Sequence, residues 1–283
     1  MADNERHLLA GVMGWPVMHS RSPLMHNYWI EKLGLHGSYV LLPIEPENIG
    51  PALRALHPLT FAGCNLTIPH KQEAMKIVDE VDEVAKVIGA ISCVVVRSDG
   101  SLFGTNNDWR GYLGSLKQEH PDWRADAGPV TVIGAGGGSR AVCYALLREG
   151  ATEIRLVNRT FERAEGIAEE LGGPITPLRW AERHDALDGV AMAVNATSQG
   201  MVGEPALDIR LDALPVDALA SDIIYVPLET PFLAAARERG NRTINGVGML
   251  LHQGRPAWKL WFDIEPEVTP ELRERMERSI AGS

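Results

Sequence analysis

The sequence predicts an α/β protein of two domains, built on parallel sheet with helices on both faces. Three observations predict it. Short apolar runs of strand length alternate with segments of helical period from one end of the chain to the other. At 283 residues the chain exceeds one average domain. A polar Gly/Pro stretch, HPDWRADAGPV at 120–130, breaks the alternation near the middle.

Taken in order, the strand-like runs are LLAGVMG (8–14), SYVLLPI (38–44), FAGCNLTI (61–68) and ISCVVV (91–96). After the break come VTVIGAG (130–136), EIRLVN (153–158), AMAVNAT (191–197) and ASDIIYV (220–226). Apolar residues at helical spacing place helices over 23–33, 46–56, 71–79, 138–149, 161–171 and 230–239. The tail PELRERMERSI reads as a short charged amphipathic helix with a solvated face.

Composition narrows the function classes. Lys and Arg number 27 against 37 acidic residues, a net charge of −10, which disfavours nucleic acid and anionic membrane surfaces as partners. Cys64, Cys93 and Cys143 lie far apart with no CxxC, which suits a reducing compartment and argues against a bound metal. The N-terminal stretch MADNERHLLAGVMGWP has early acidic residues and a short, Gly-interrupted apolar run, unlike a signal peptide or membrane helix. A cytoplasmic protein, monomeric or homodimeric, is the expectation.

VTVIGAGGGSRAVCYALLREGATEIRLVNRT reads strand, Gly-rich turn, helix, Gly, strand, the setting a dinucleotide fingerprint requires. Gly134, Ala135 and Gly136 form a tight turn that a pyrophosphate can approach closely. Gly137 and Gly138 open a helix whose N-terminus presents free N–H groups. An NAD site wants Asp or Glu at the end of the second strand, to bond the ribose 2′-hydroxyl. This chain has Asn158, Arg159 and Thr160 there, with Arg163 one helical turn on. Two guanidinium groups and no carboxylate suit a 2′-phosphate, so NADP(H) is the expected cofactor.

GWPVMHSRSPLMHN places Ser20 and Ser22 after the first strand, on one side of an extended backbone. They suit either a small anion or the cap of the helix near Pro23. NLTIPHK sets Asn65, Thr67 and Lys71 beyond a strand end, where open α/β sheets keep their ligands. Asp108 follows in TNNDW. Taken alone, Lys71 suits a solvated helix position and Asp108 a turn.

These blocks together resemble the shikimate dehydrogenase family, which includes quinate/shikimate variants. GWPVMHSRSPLMHN, FAGCNLTIPHK, GTNND, GAGGGSRA, NRTFERA, NATSQGM, DIIYVPLETPFL and NGVGMLLHQ follow the family's order over nearly the whole chain. The resemblance implies an N-terminal open α/β substrate domain, residues 1–108 with 247–283, and a Rossmann domain over 109–246. C-terminal helices would return to the first domain, with hinges near Asp108 and Gly246. It implies that Ser20 and Ser22 bind the substrate carboxylate, and that Asn65, Thr67, Ser92 and Gln253 serve the rest of the substrate. Lys71 and Asp108 would form the acid/base pair at the reacting hydroxyl. Tyr225 would close the substrate site. Ile223, Gly246 and Met249 would face the nicotinamide, and Ala196, Thr197 and Ser198 would line the cofactor cleft. Gly246, Met249 and Gln253 fall within about 60° of one helix face, which a packing stripe would share.

Two positions depart from the family pattern. Ser92-Cys93 stands where the family carries Asn-Thr, whose amide bonds the ring hydroxyls. Asn106-Asn107-Asp108-Trp109 replaces its Asn-Thr-Asp-Gly, setting a large ring beside the Asp. The implied activity is NADP-dependent, reversible reduction of 3-dehydroshikimate to shikimate. Its rivals are a paralogue for quinate or another analogue, and a non-catalytic NADPH-binding module.

Overall fold

The computed structural model describes residues 7–282. It divides into two compact units, Met1–Asn107 with Gln253–Met276, and Asp108–His252 with Glu277–Ser283. Asp108 and the stretches 247–252 and 277–283 thus group with the second unit. The second boundary lies inside a helix that begins at Val247, beyond the hinge expected at Gly246.

The first unit carries β1 (Leu8–Gly14), α1 (Ser22–Lys32), β2 (Gly37–Pro43), α2 (Ile49–Ala55), β3 (Gly63–Leu66) and β4 (Glu80–Val81). Then come α3 (Glu83–Ile88), β5 (Cys93–Val96) and β6 (Leu102–Thr105). The sheet order is β2-β1-β3-β5-β6-β4. Here the expectation of a parallel sheet needs correcting, because β5 runs antiparallel to both β3 and β6. The cause is local. Residues 97–101, with Gly100 at φ 85° and Asp99 accepting from the Ser101 N–H and hydroxyl, close a tight β5–β6 hairpin. A short turn joins only antiparallel neighbours.

The helix expected over 71–79 is a single 3₁₀ turn, Glu73–Lys76. β-Branched Ile77 and Val78 weaken helix there. The Asp79 carboxylate accepts the Leu102 N–H at 2.7 Å, drawing the chain into β4. Both faces of the sheet are covered. Ile49, Leu53 and Leu56 pack over Met13, Cys64, Leu66 and Val94 on one side. Ala257 and Trp261 of α8 (Val247–Phe262) pack over Ala10, Val12, Tyr39 and Cys93 on the other.

The second unit contains α4 (Asp108–Glu119), β7 (Val130–Ile133), α5 (Gly137–Arg148), β8 (Ile154–Asn158), α6 (Phe161–Leu171) and β9 (Ile175–Arg179). It continues with β10 (Met192–Asn195), β11 (Leu219–Asp222), α7 (Pro231–Glu238) and β12 (Arg242–Ile244). Helix α9 (Pro270–Ala281) is divided between the two units after Met276. The order β9-β8-β7-β10-β11-β12 is parallel throughout, the order of a doubly wound dinucleotide fold. All four residues of β7 are buried, as a central parallel strand demands. The reversal of strand order falls between β7 and β10, so the crevice such folds use for ligands opens at their carboxyl ends.

Candidate active site

Within the first unit, polar side chains gather where β3 ends and α1 begins, beside Tyr39 near the start of β2. The Ser20 hydroxyl donates to Ser22 Oγ at 3.2 Å and accepts the Ser22 N–H at 3.3 Å. Residue Arg21 occupies the N-cap of α1 with no side-chain cap bond, so neither serine caps the helix in the ordinary way. Their hydroxyls converge instead. Tyr39 on β2, buried, donates its hydroxyl to Asn65 Oδ1 at 2.8 Å and also pairs with Ser22. Asn65 Nδ2 in turn donates to the Ser92 carbonyl at 3.2 Å and to Gln253 Oε1 at 3.4 Å. Five side chains from four distant stretches therefore meet.

Tyr39 is the member that sequence reasoning missed. Its only signal was an aromatic residue on a strand, and its partners lie in other elements. Burial raises its hydroxyl well above the ordinary tyrosine range, so it stays a neutral donor. It stacks on the His26 ring at a centroid distance of 3.8 Å, and His26 Nδ1 accepts the Trp258 indole N–H at 2.7 Å. Burial lowers the His26 pKa to about 3. A neutral aromatic stack thus backs the polar cluster.

Thr67 and Lys71 lie on the loop after β3. Thr67 donates its N–H to the Met13 carbonyl, and the Lys71 carbonyl accepts from Ile91, which fixes both backbones to the sheet. Lys71 is half-buried and Thr67 likewise. Ser92 is buried and its hydroxyl accepts the Asn107 N–H at 2.8 Å.

In the second unit Asp108 is the first residue of α4 and is buried. Trp109 is packed edge-on against Tyr144 of α5 at a centroid distance of 5.4 Å, with the Arg110 guanidinium 4.6 Å from its ring. The large ring found in place of the family's glycine is thus accommodated inside this unit.

The Gly-rich turn stands at the β7/β10 switch point. Gly134 has φ 110°, and a Cβ there would lie 2.9 Å from the Ala196 carbonyl oxygen and from the Thr197 methyl. Only glycine meets both demands. By contrast, a Cβ on Gly136 would meet nothing within 4 Å, so this side of the turn is open. The Ser139 hydroxyl accepts the Gly136 N–H and donates to the Ala196 carbonyl, both at 3.3 Å. That pair ties Ala135, Gly136, Gly137 and Gly138 to the loop carrying Ala196, Thr197 and Ser198. An open face over free helix N–H groups fits a pyrophosphate.

Ile223 adjoins this turn. A Cβ on Gly138 would come within 2.7 Å of its side chain, and one on Gly246 within 2.1 Å of its carbonyl. Gly246 is therefore obligatory, and it lies one residue ahead of α8, which carries Met249 on its first turn. Tyr225 follows two residues after Ile223 and is half-buried. Met249 falls in the second unit and Gln253 in the first, so the expected face of one helix is divided between them.

At the end of β8, Asn158 Nδ2 bonds the Thr160 carbonyl at 2.7 Å, holding the strand-to-helix turn. Arg159 and Arg163 are exposed, and neither forms an ion pair among the described residues. Such a pair of free cations with no carboxylate fits the 2′-phosphate of NADP(H). Beneath the cleft, Asp222 accepts from Asn195 Nδ2 (3.0 Å), Thr230 Oγ1 (2.7 Å) and the Ile224 N–H (2.9 Å). Burial nevertheless raises its pKa to about 6.

None of the three cysteines forms a disulfide, all are buried, and burial pushes the Cys143 thiol up to about 12. Among the described residues no group of His, Cys, Asp and Glu has the arrangement of a metal site. No helix there is long and apolar enough to cross a membrane.

Residues 12–94 match the family model for the shikimate dehydrogenase substrate binding domain, and residues 116–202 that for shikimate / quinate 5-dehydrogenase. The NADP(+) shikimate dehydrogenase of Paramagnetospirillum magneticum is 49% identical over 94% of this chain and 96% of its own. The chain belongs to the shikimate dehydrogenase family. A second member, from Rhodospirillum rubrum and named an NADP(+) enzyme, is 50% identical over 94% of this chain and 95% of its own. The crystal structure of the Thermus thermophilus shikimate dehydrogenase, in complex with NADP(H) and shikimate, superposes with a TM-score of 0.85 at 36% identity. That match covers 96% of this chain and 99% of the other.

Proposed function

We propose that the protein catalyses the NADP-dependent, reversible reduction of 3-dehydroshikimate to shikimate. The observation that carries this reading is 49–50% identity, over 94% of the chain, to enzymes named NADP(+) shikimate dehydrogenases, joined to two free arginines and no carboxylate at the end of β8. The buried free thiols accord with a cytoplasmic enzyme.

The residues divide the work by chemistry. Ser20 and Ser22 bind the substrate carboxylate through converging hydroxyls. Asn65, Thr67, Ser92 and Gln253 serve its ring oxygens, with Asn65 oriented by Tyr39. Tyr225 closes the substrate site. Gly136, Gly137 and Gly138 cradle the pyrophosphate, and Asn158, Arg159, Thr160 and Arg163 hold the adenosine end. Ala196, Thr197, Ser198, Ile223, Gly246 and Met249 line the nicotinamide side. Bound NADP(H) accepts or supplies the hydride. Oxidising the alcohol also removes a proton from its oxygen. Lys71 takes that proton and returns it in the reverse direction, with Asp108 orienting it.

The test is NADP+ reduction by the purified protein, followed by absorbance, with shikimate and quinate in parallel. Shikimate is expected to be the better substrate, and Lys71→Ala to lower kcat by roughly 10²–10⁴-fold. A clear preference for quinate, or NADPH binding without turnover, would overturn the assignment.

A further inference from the structure

Asp108 is the first residue of α4 and of the second unit. The sequence of α4 holds that end weakly. Gly111 and Gly114 stand in its interior, and glycine is a poor helix former. The first turn of any helix also carries N–H groups with no partner inside the helix, and it frays most readily.

Packing supplies what the backbone lacks. Trp109, Tyr112, Leu113 and Leu116 recur at i, i+3, i+4 and i+7, and all four are buried. Tyr112 shares a hydrogen bond with Ser221 of β11 at 3.1 Å, one turn beyond Asp108. Within the first turn the anchor is Trp109. Its ring meets the Tyr144 ring of α5 edge to face, at 5.4 Å between centroids and 78° between planes. The exposed Arg110 guanidinium lies 4.6 Å from the same ring. Both contacts are attractive only in defined orientations, so they fix the indole and the backbone that carries it.

Resting on the function proposed above, we propose that Trp109 is a positioning residue for Asp108. Clamped by Tyr144 and Arg110, it keeps the first turn of α4 helical and sets the direction in which the Asp108 carboxylate leaves the helix. The role needs no contact with substrate or cofactor. It acts through the backbone that the two residues share.

Trp109→Ala and Trp109→Phe test this through kcat, the shikimate KM, the Kd of NADPH from its own fluorescence, and Tm. Trp109→Ala is expected to lower kcat about ten-fold, as a misplaced catalytic group does, and to move KM and Kd by less than about two-fold. Trp109→Phe keeps a ring against Tyr144 and should recover most of the loss. On an Asp108→Asn background, Trp109→Ala should lower the residual kcat little further, because the group it positions is already gone. A folded Trp109→Ala protein with unchanged kcat overturns the inference. An equal fold-loss on both backgrounds also overturns it, since that marks a general structural role. Should Trp109→Ala not fold, Tyr144→Ala removes the ring partner, leaves residue 109 intact and is read in the same way. Wild-type protein that does not turn over shikimate overturns the underlying reading. An active wild type that loses nothing with Asp108→Asn overturns the role of Asp108, and this inference with it.

Discussion

Arg159 and Arg163 stand exposed at the end of β8, where a carboxylate would select NAD. A hydrogen bond to a charged group contributes about 1.5–3 kcal/mol. Arg159→Ala and Arg163→Ala are each expected to raise the KM for NADP+ by about 10–100-fold and to leave that for NAD+ nearly unmoved. Steady-state rates with both cofactors decide it; equal losses would mean the arginines do not read the 2′-phosphate. These residues were legible in the sequence because strand, turn and helix are contiguous there. Ser20 and Ser22 were legible as a pair, and their hydroxyls do converge. Tyr39 and the Ser92–Asn107 link were not, since each depends on partners brought from distant segments. Local patterning carries no information about such pairs.

Among the elements, the glycine turn separates stability from binding. Gly134→Ala would force φ 110° on a residue with a Cβ and press it against the Ala196 carbonyl. It is expected to cost about 1–3 kcal/mol of stability from backbone strain, with further loss from the contact. Gly136→Ala adds a methyl to open space at an ordinary φ of −104°, so Tm should hold while NADPH binding weakens. Thermal unfolding and NADPH titration of both variants check this; equal effects on Tm would refute it. The strands around this turn were readable as continuous apolar runs. Helix α4 was not, because Gly111 and Gly114 dilute its pattern. The second glycine has a packing reason: a Cβ on Gly114 would lie 2.8 Å from the His252 ring. Strand β9 was missed for its Pro177, tolerated at the edge of the sheet.

At the scale of the molecule, the two units carry buried titrating groups of opposite sign. In the first, His26 is held neutral with a pKa near 3, below its unfolded value of 6.5. Between those values the unfolded chain binds the extra proton, so this unit loses stability as pH falls, by about 2 kcal/mol from pH 7 to 5. In the second, Asp222 has its pKa raised to about 6 from 3.8. There the folded form binds the extra proton, and the ionised carboxylate costs stability above that range. Lowering the pH from 7 to 5 therefore returns about 1 kcal/mol. Hydrogen exchange read peptide by peptide, corrected for intrinsic rates, should show protection falling in the first unit and rising in the second. His26→Phe keeps a ring under Tyr39 but leaves the Trp258 indole N–H unpaired. It should be less stable at pH 7 yet lose less on acidification. Asp222→Asn should remove the gain in the second unit and leave the first unchanged. Parallel shifts in both units would show that these two groups do not govern the acid response.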